Sequence, residues 1–145
     1  IYFGQKDALQ CIVIKKLFND FFLDLKTNVV ICPTLREYDG LAYSTRNEKL
    51  SLEERSEVKI IYQSLQKIKS LKIDNLNIYD ISKIITDDIN QNSKILELEY
   101  ISFNNYDNFD QIFDFTNKNN IIISLVVKTK YSKIRLLDNI IIKLK

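Results

Sequence analysis

Two short segments hold the side chains best suited to chemistry. Gly4-Gln5-Lys6-Asp7 sets a cation and a carboxylate beside a glycine, and Gln10 follows three residues after Asp7 and four after Lys6. That spacing puts Lys6, Asp7 and Gln10 on one face at the mouth of a helix. A helix start offers free N–H groups and partial positive charge, Lys6 adds a full charge, and phosphate is the matching guest. Asp7 suits ribose hydroxyls. The same residues also fit ordinary structure, with Asp7 as a helix N-cap and Lys6 and Gln10 as solvated positions. The second segment, Ser44-Thr45-Arg46, pairs two hydroxyls with a guanidinium in a loop preceded by Gly40. Hydroxyl donors and a forked cation match the oxygens of a triphosphate, where charge builds during attack at phosphorus. It equally fits a hydrophilic loop ahead of a capped helix.

Composition removes several other chemistries. The 145 residues include no histidine, so this chain by itself supplies no Ser-His-Asp triad, histidine base or histidine-ligated metal. Cys11 and Cys32 stand far apart within apolar stretches, which argues against a disulfide scaffold or thiol zinc site and predicts a reduced, cytoplasmic setting. Residue types alone therefore nominate no metal ligand. A net charge of +2 gives no ground for a nucleic-acid or membrane partner. The longest apolar run, Ile121–Val127, is far below the ~20 residues of a membrane span. The opening residues lack the pattern of a signal peptide. Abundant Lys, Ile and Asn suggest an AT-rich genome, and Asn104-Asn105 and Asn117–Asn120 are expected in loops.

Ile1-Tyr2-Phe3 reads as the end of a buried strand, with Gly4 turning the chain into a helix over Asp7–Phe22. Leu9, Ile12, Val13, Leu17 and Phe21 supply its period. Lys26–Cys32 reads as a strand closed by Pro33, completing a βαβ unit whose home is a parallel, helix-covered sheet. Thr34–Leu50 lacks periodicity and is long enough for function. Ser51-Leu52-Glu53-Glu54 is a capping box that starts a helix to about Leu71, with Val58, Ile61, Leu65 and Ile68 on one face. Asn75 and Asn77 mark a break before a helix over Ile78–Ile89. Alternation of Leu96, Leu98 and Tyr100 with Glu97 and Glu99 predicts a half-buried strand. Phe109–Phe115 is expected as a short helix or turn. Ile121–Lys128 and Ile134–Lys143 are expected as strands joined through Lys130–Lys133. Lys128, Lys130, Lys133 and Arg135 then lie on an exposed hairpin, and Phe21, Phe22, Phe113 and Phe115 are assigned to cores.

Taken in order, Tyr2-Phe3-Gly4-Gln5-Lys6-Asp7, Gln10, Pro33-Thr34-Leu35-Arg36-Glu37 and Asp39-Gly40-Leu41-Ala42-Tyr43-Ser44-Thr45-Arg46-Asn47 resemble the pantothenate synthetase (pantoate–β-alanine ligase) family. Arg135-Leu136-Leu137-Asp138-Asn139 resembles that family's C-terminal RLIDN stretch. The likeness implies an α/β fold: the end of a Rossmann-like parallel-sheet nucleotide-binding domain, then a small α+β domain with an antiparallel sheet. It implies residues 1–36 in the former, 37–50 as a KMSKS-like phosphate loop and linker, and 51–145 as the latter. The family's first half carries an HxGH-type motif, so its absence from this histidine-free chain is an expectation of the resemblance.

The activity so implied is ATP-dependent condensation of pantoate with β-alanine through pantoyl adenylate, with AMP and pyrophosphate released. This is a step of coenzyme A biosynthesis. Gly4, Gln5, Lys6 and Asp7 would form the ATP segment, with Lys6 on phosphate and Gly4 and Asp7 on ribose. Leu35 would hold adenine through its backbone, and Gln10 would bind pantoate. Tyr43, Ser44, Thr45 and Arg46 would form the phosphate loop, and Lys6, Ser44, Thr45 and Arg46 would be catalytic. Thr45 stands where serine is usual in the family, keeping the hydroxyl and adding a methyl. ATP with Mg²⁺, a cytoplasmic homodimer and activity only in the complete enzyme are further implications. Two rivals stay open at this stage: another adenylate-forming or nucleotidyl-transferring enzyme of the superfamily, and a non-catalytic interaction module.

Overall fold

A computed structural model describes residues 1–23, 26–71, 76–115 and 120–143. Asn75 and residues 117–119, assigned above to a break and a loop, lie outside the described residues. Strand β1 (Tyr2–Gly4) pairs in parallel with β2 (Val30–Cys32), in register Tyr2 to Val30 and Gly4 to Cys32. Helix α1 (Ala8–Asp20) connects them. This is the expected βαβ unit, with a strand shorter than the Lys26–Cys32 alternation suggested. But β1 is not a buried strand: Ile1 and Tyr2 are exposed and Phe3 half-buried, since among the described residues its sheet has only two strands. Gly4 itself is extended (φ −82°); the change of direction is made by a 3₁₀ turn over Gln5–Asp7.

The second half is built on an antiparallel sheet of order β3-β4-β5, comprising Leu96–Asn105, Ile121–Thr129 and Arg135–Ile142. Helices α2 (Leu52–Glu57) and α3 (Lys59–Ser70) divide the stretch expected as one helix at Val58. Helix α4 (Ile78–Asn92) begins with a capping box in which Asn77 and Asp80 exchange backbone and side-chain hydrogen bonds. The apolar faces of α3 and α4, carrying Ile61, Leu65, Ile68, Ile81, Ile85 and Ile89, pack with Ile121, Ile123, Leu125 and Val127 of β4 in one core. The parallel pair and the antiparallel sheet together make a mixed α/β fold, as the sequence implies.

Three further expectations need correction. Asn104 and Asn105 belong to β3, opposite Ile122 and Ile121, because the strand runs on past its alternating start. Tyr100 is 48% exposed, since an irregularity between Leu98 and Tyr100 shifts the register and breaks the two-residue alternation. Phe21, Phe22 and Phe113 are exposed, whereas Phe115 packs against the core and faces the Phe103 ring at 6.4 Å. On α1, Leu9, Val13 and Leu17 form an exposed apolar stripe at four-residue spacing.

Strand β5 is an edge of its sheet, and an uncovered edge is an open row of backbone donors and acceptors. Here Asp138 and Asn139 on β5 hold two other segments beside it: the Arg36–Asn47 loop, and the 3₁₀ turn after β1. This edge positions the candidate site. Among the described residues no helix is long and apolar enough to cross a membrane.

Candidate functional site

The phosphate-loop residues ride on a small antiparallel excursion. Arg36 bridges to Ala42, the Glu37 N–H donates to the Leu41 carbonyl at 2.8 Å, and the Tyr43 N–H donates to the Leu35 carbonyl at 2.9 Å. Leu35 and Tyr43, two expected nucleotide contacts, are thereby neighbours with exposed side chains. At the tip, Gly40 has φ +92°, and a side chain there would overlap the Tyr62 ring of α3. The turn thus needs glycine twice over, for conformation and for space. Leu41 is sunk into the core below and anchors the loop.

Charge then stiffens this excursion. The Arg55 guanidinium donates to Glu37 Oε2 at 2.6 Å and Asp39 Oδ2 at 2.5 Å, while Asn47 Nδ2 donates to Glu37 Oε1 at 2.7 Å and the Ala42 carbonyl at 3.1 Å. The hydrogen bond from Arg55 holds the Asp39 carboxyl below its ordinary range, and the same partner raises Arg55 further. Arg36 makes a two-pronged pair with Asp138 at 2.6 and 3.0 Å, donates to the Gly40 carbonyl at 2.9 Å, and stacks 4.4 Å from the Tyr62 ring centre.

Ser44 caps the 3₁₀ turn Thr45–Lys49, its Oγ accepting from the Arg46 N–H at 3.3 Å. That bond uses a lone pair and leaves the hydroxyl proton free to donate. Lys6, Ser44 and Arg46 line one narrow crevice against Arg135 and Asp138 of β5. Two motifs nearly forty residues apart are brought together there around a space of about 10 Å³, the room of one water molecule, so the crevice marks where their donors converge and is no preformed phosphate cavity. Asp7 makes no capping hydrogen bond among the described residues, so its exposed carboxylate is not committed to the helix start. Gly4 has nothing within 4 Å of the position a side chain would take, leaving its backbone approachable. Gln10 is exposed on the first turn of α1, and Thr45 is exposed beside Arg46; neither lines the crevice. Gln5 lines instead an open cleft of about 720 Å³ between α1 and the turn at Tyr106–Asp110.

The pantoate–β-alanine ligase family model matches residues 1–141. The chain belongs to this family. Its relatives include the pantothenate synthetases of Caldicellulosiruptor saccharolyticus, 38% identical over 143 residues, and Listeria monocytogenes serotype 4b, 39% identical over 145 residues. These alignments cover 98% and 99% of this chain, but 48% and 49% of the relatives. The chain thus spans about half the length of the curated relatives it matches. The crystal structure of pantothenate synthetase from Thermus thermophilus superimposes with a TM-score of 0.76 at 25% identity, covering 96% of this chain and 48% of that one. The Francisella tularensis ligase, crystallised with β-γ ATP and β-alanine, gives 0.56 at 27% identity, covering 96% of this chain and 42% of that one.

The residues that support this family's motifs here carry no local signature of that role. Arg36, Glu37, Asp39, Asn47, Asp138 and Asn139 were visible as parts of recognisable stretches, yet their partners lie far away along the chain. One signal was available. Asp138-Asn139 interrupts the apolar run Leu136–Ile142 of β5, and buried polar residues there need partners from elsewhere.

Proposed function

We propose that this chain is the C-terminal portion of an ATP-dependent pantoate–β-alanine ligase. The observation that carries the reading is the crevice uniting Lys6 with Ser44 and Arg46, in a chain matched by the family model over residues 1–141. In this reading residues 1–36 end the nucleotide-binding domain, 37–50 form the phosphate loop, and 51–145 form a small covering domain.

Pantoate's carboxylate attacks the α-phosphorus of ATP, forming a P–O bond as the bond to the β-phosphate bridging oxygen breaks and pyrophosphate leaves. The amine of β-alanine then attacks the acyl carbon, and the mixed anhydride's C–O bond breaks to release AMP. Both steps build negative charge on phosphate oxygens, which catalysis must meet with fixed donors and cations. Lys6, the hydroxyls of Ser44 and Thr45, and the Arg46 fork fill that role. Asp7 and the Gly4 backbone hold ribose, the Leu35 backbone holds adenine, and Gln5 and Tyr43 complete the ATP surface. Gln10 holds pantoate. Mg²⁺ accompanies the nucleotide in this reading. A cytoplasmic homodimer completes the proposal.

The test supplies the full-length protein with ATP, Mg²⁺, pantoate and β-alanine and measures AMP and pantothenate. Matched formation of both supports the reading. AMP release that ignores pantoate, or answers to a different acid, overturns it in favour of another adenylate-forming enzyme.

A further inference from the structure

Consecutive residues of a strand point to opposite faces, so Asp138 and Asn139 reach to either side of the β5 edge. Asp138 takes the Arg36 fork, and Arg36 also holds the Gly40 carbonyl of the loop that continues into Ser44–Arg46. Asn139 Nδ2 donates to the Lys6 carbonyl at 2.8 Å and the Gln5 carbonyl at 3.3 Å. The two residues are coupled as well, since the Asn139 N–H donates to Asp138 Oδ1 at 2.8 Å. One rigid strand therefore grips both segments that bring donors to the crevice.

The chemistry of Asn139 points beyond sheet stability. The residue is 3% exposed, and its Oδ1 is buried with no hydrogen-bond partner among the described residues. An unsatisfied buried carbonyl is costly, and an aliphatic side chain would serve the strand better. What asparagine alone supplies here is a neutral double donor aimed at the Lys6 turn. Asp138, 2% exposed, is likewise a buried charge whose fork partner, Arg36, also holds the Gly40 carbonyl of the phosphate loop. We infer that Asp138 and Asn139 are positioning residues that fix Lys6 relative to Arg46, so that both meet the same triphosphate. The inference rests on the proposed ligase reading, and deepens it by assigning a task to the Asp-Asn pair of the RLLDN stretch. Misplacing a catalytic cation by about an ångström costs ~10²-fold in rate.

The experiment compares full-length wild type with Asn139→Asp and Arg36→Lys. Asn139→Asp keeps the shape and turns the donor into an acceptor facing two carbonyls; Arg36→Lys keeps the charge and removes the fork. The readouts are kcat, KM for ATP and for β-alanine, the ATP dissociation constant by calorimetry, and Tm. Expected are a kcat loss of ~10-fold or more and weaker ATP binding, with KM for β-alanine within about twofold of wild type. Unchanged ATP kinetics and ATP binding alongside a lowered Tm would show a merely structural clasp and overturn the inference. If Asn139→Asp does not fold, Arg36→Lys decides by the same criteria. A wild type that binds ATP but makes no pantothenate defeats the ligase reading and leaves the positioning claim to be judged on ATP affinity. A wild type that does not bind ATP overturns both.

Discussion

Glu54 and Ser132 are joined across 78 residues of chain: the buried carboxylate accepts from the Ser132 N–H at 2.8 Å and from its hydroxyl at 2.6 Å. Glu54 also completes the Ser51 capping box, accepting from the Ser51 N–H at 3.1 Å, and takes the Tyr131 N–H at 3.2 Å. A helix start and the β4–β5 hairpin thus share one anion. Burial alone would raise the carboxyl, but the donors from Ser132 and Ser51 outweigh it and hold Glu54 at about 2, below its ordinary 4.5. With the folded value lowered, the stabilisation is complete above about pH 4.5 and is lost as pH falls toward 2. Glu54→Gln replaces an acceptor oxygen by a donor among donors and should cost about 2 kcal/mol or more at pH 7. Urea unfolding from pH 7 down to 2 checks both points. The wild type should lose its advantage over Glu54→Gln across the acid range, and parallel curves would remove Glu54 as the source.

Gly40 gives a second prediction. Its positive φ and the Tyr62 ring against it both oppose a side chain. Gly40→Ala should lower stability by about 2 kcal/mol or more, combining backbone strain with overpacking. The double variant Gly40→Ala with Tyr62→Ala removes the clash and the Arg36 stacking partner together, so it should recover part of the loss but not all. Chemical denaturation of Gly40→Ala, Tyr62→Ala and the double variant measures the coupling.

Arg46 tests the phosphate loop. If its fork meets phosphate oxygens during adenylate formation, Arg46→Ala in the full-length protein should lower kcat by ~10²-fold or more. Arg46 is exposed, and among the described residues its side chain takes no part in the loop's clasp, so the fold should be untouched. Near-wild-type turnover would take Arg46 out of the mechanism.

Gln10 tests substrate assignment. It is an exposed neutral side chain on α1, outside the Lys6–Arg46 crevice, which suits contact with pantoate and separation from the triphosphate. Gln10→Ala should raise KM for pantoate well beyond any change in KM for ATP. Equal effects on both would indicate a disturbed helix.

How much of this was legible beforehand follows from the range of each interaction. The Ser51-to-Glu54 capping box and the apolar faces of α3 and α4 are local patterns with fixed spacing, and the structure contains them. Lys6, Ser44 and Arg46 were nominated by residue type, and their shared crevice depends on long-range folding that no local period encodes. The Arg36–Asp138 and Asn139–Lys6 links span 102 and 133 residues, so local spacing could not reveal them. Only half of what Glu54 does is local: its cap follows from spacing, its grip on Ser132 does not. The exposed Phe21, Phe22 and Phe113 show the limit of assigning burial from hydrophobicity alone, since apolar atoms also furnish much of a folded surface.

The stripe on α1 supports the last prediction. Leu9 and Val13 are each 54% exposed and Leu17 is 43% exposed, one helical turn apart, and Val30 of β2 is exposed as well. Contiguous apolar surface of this kind marks an interaction face. Nearby, Phe3 and Ile12 are half-buried, while Val13 and Val30 are open. The purified 145-residue chain should therefore self-associate with rising concentration. Charged replacements on the stripe, Val13→Glu with Leu17→Glu, should return it to monomer without loss of helix, because both positions face solvent and glutamate is a good helix former. Sedimentation velocity over a hundredfold concentration range, paired with circular dichroism, separates the outcomes. A wild-type chain that stays monomeric throughout would show that this stripe does not drive association.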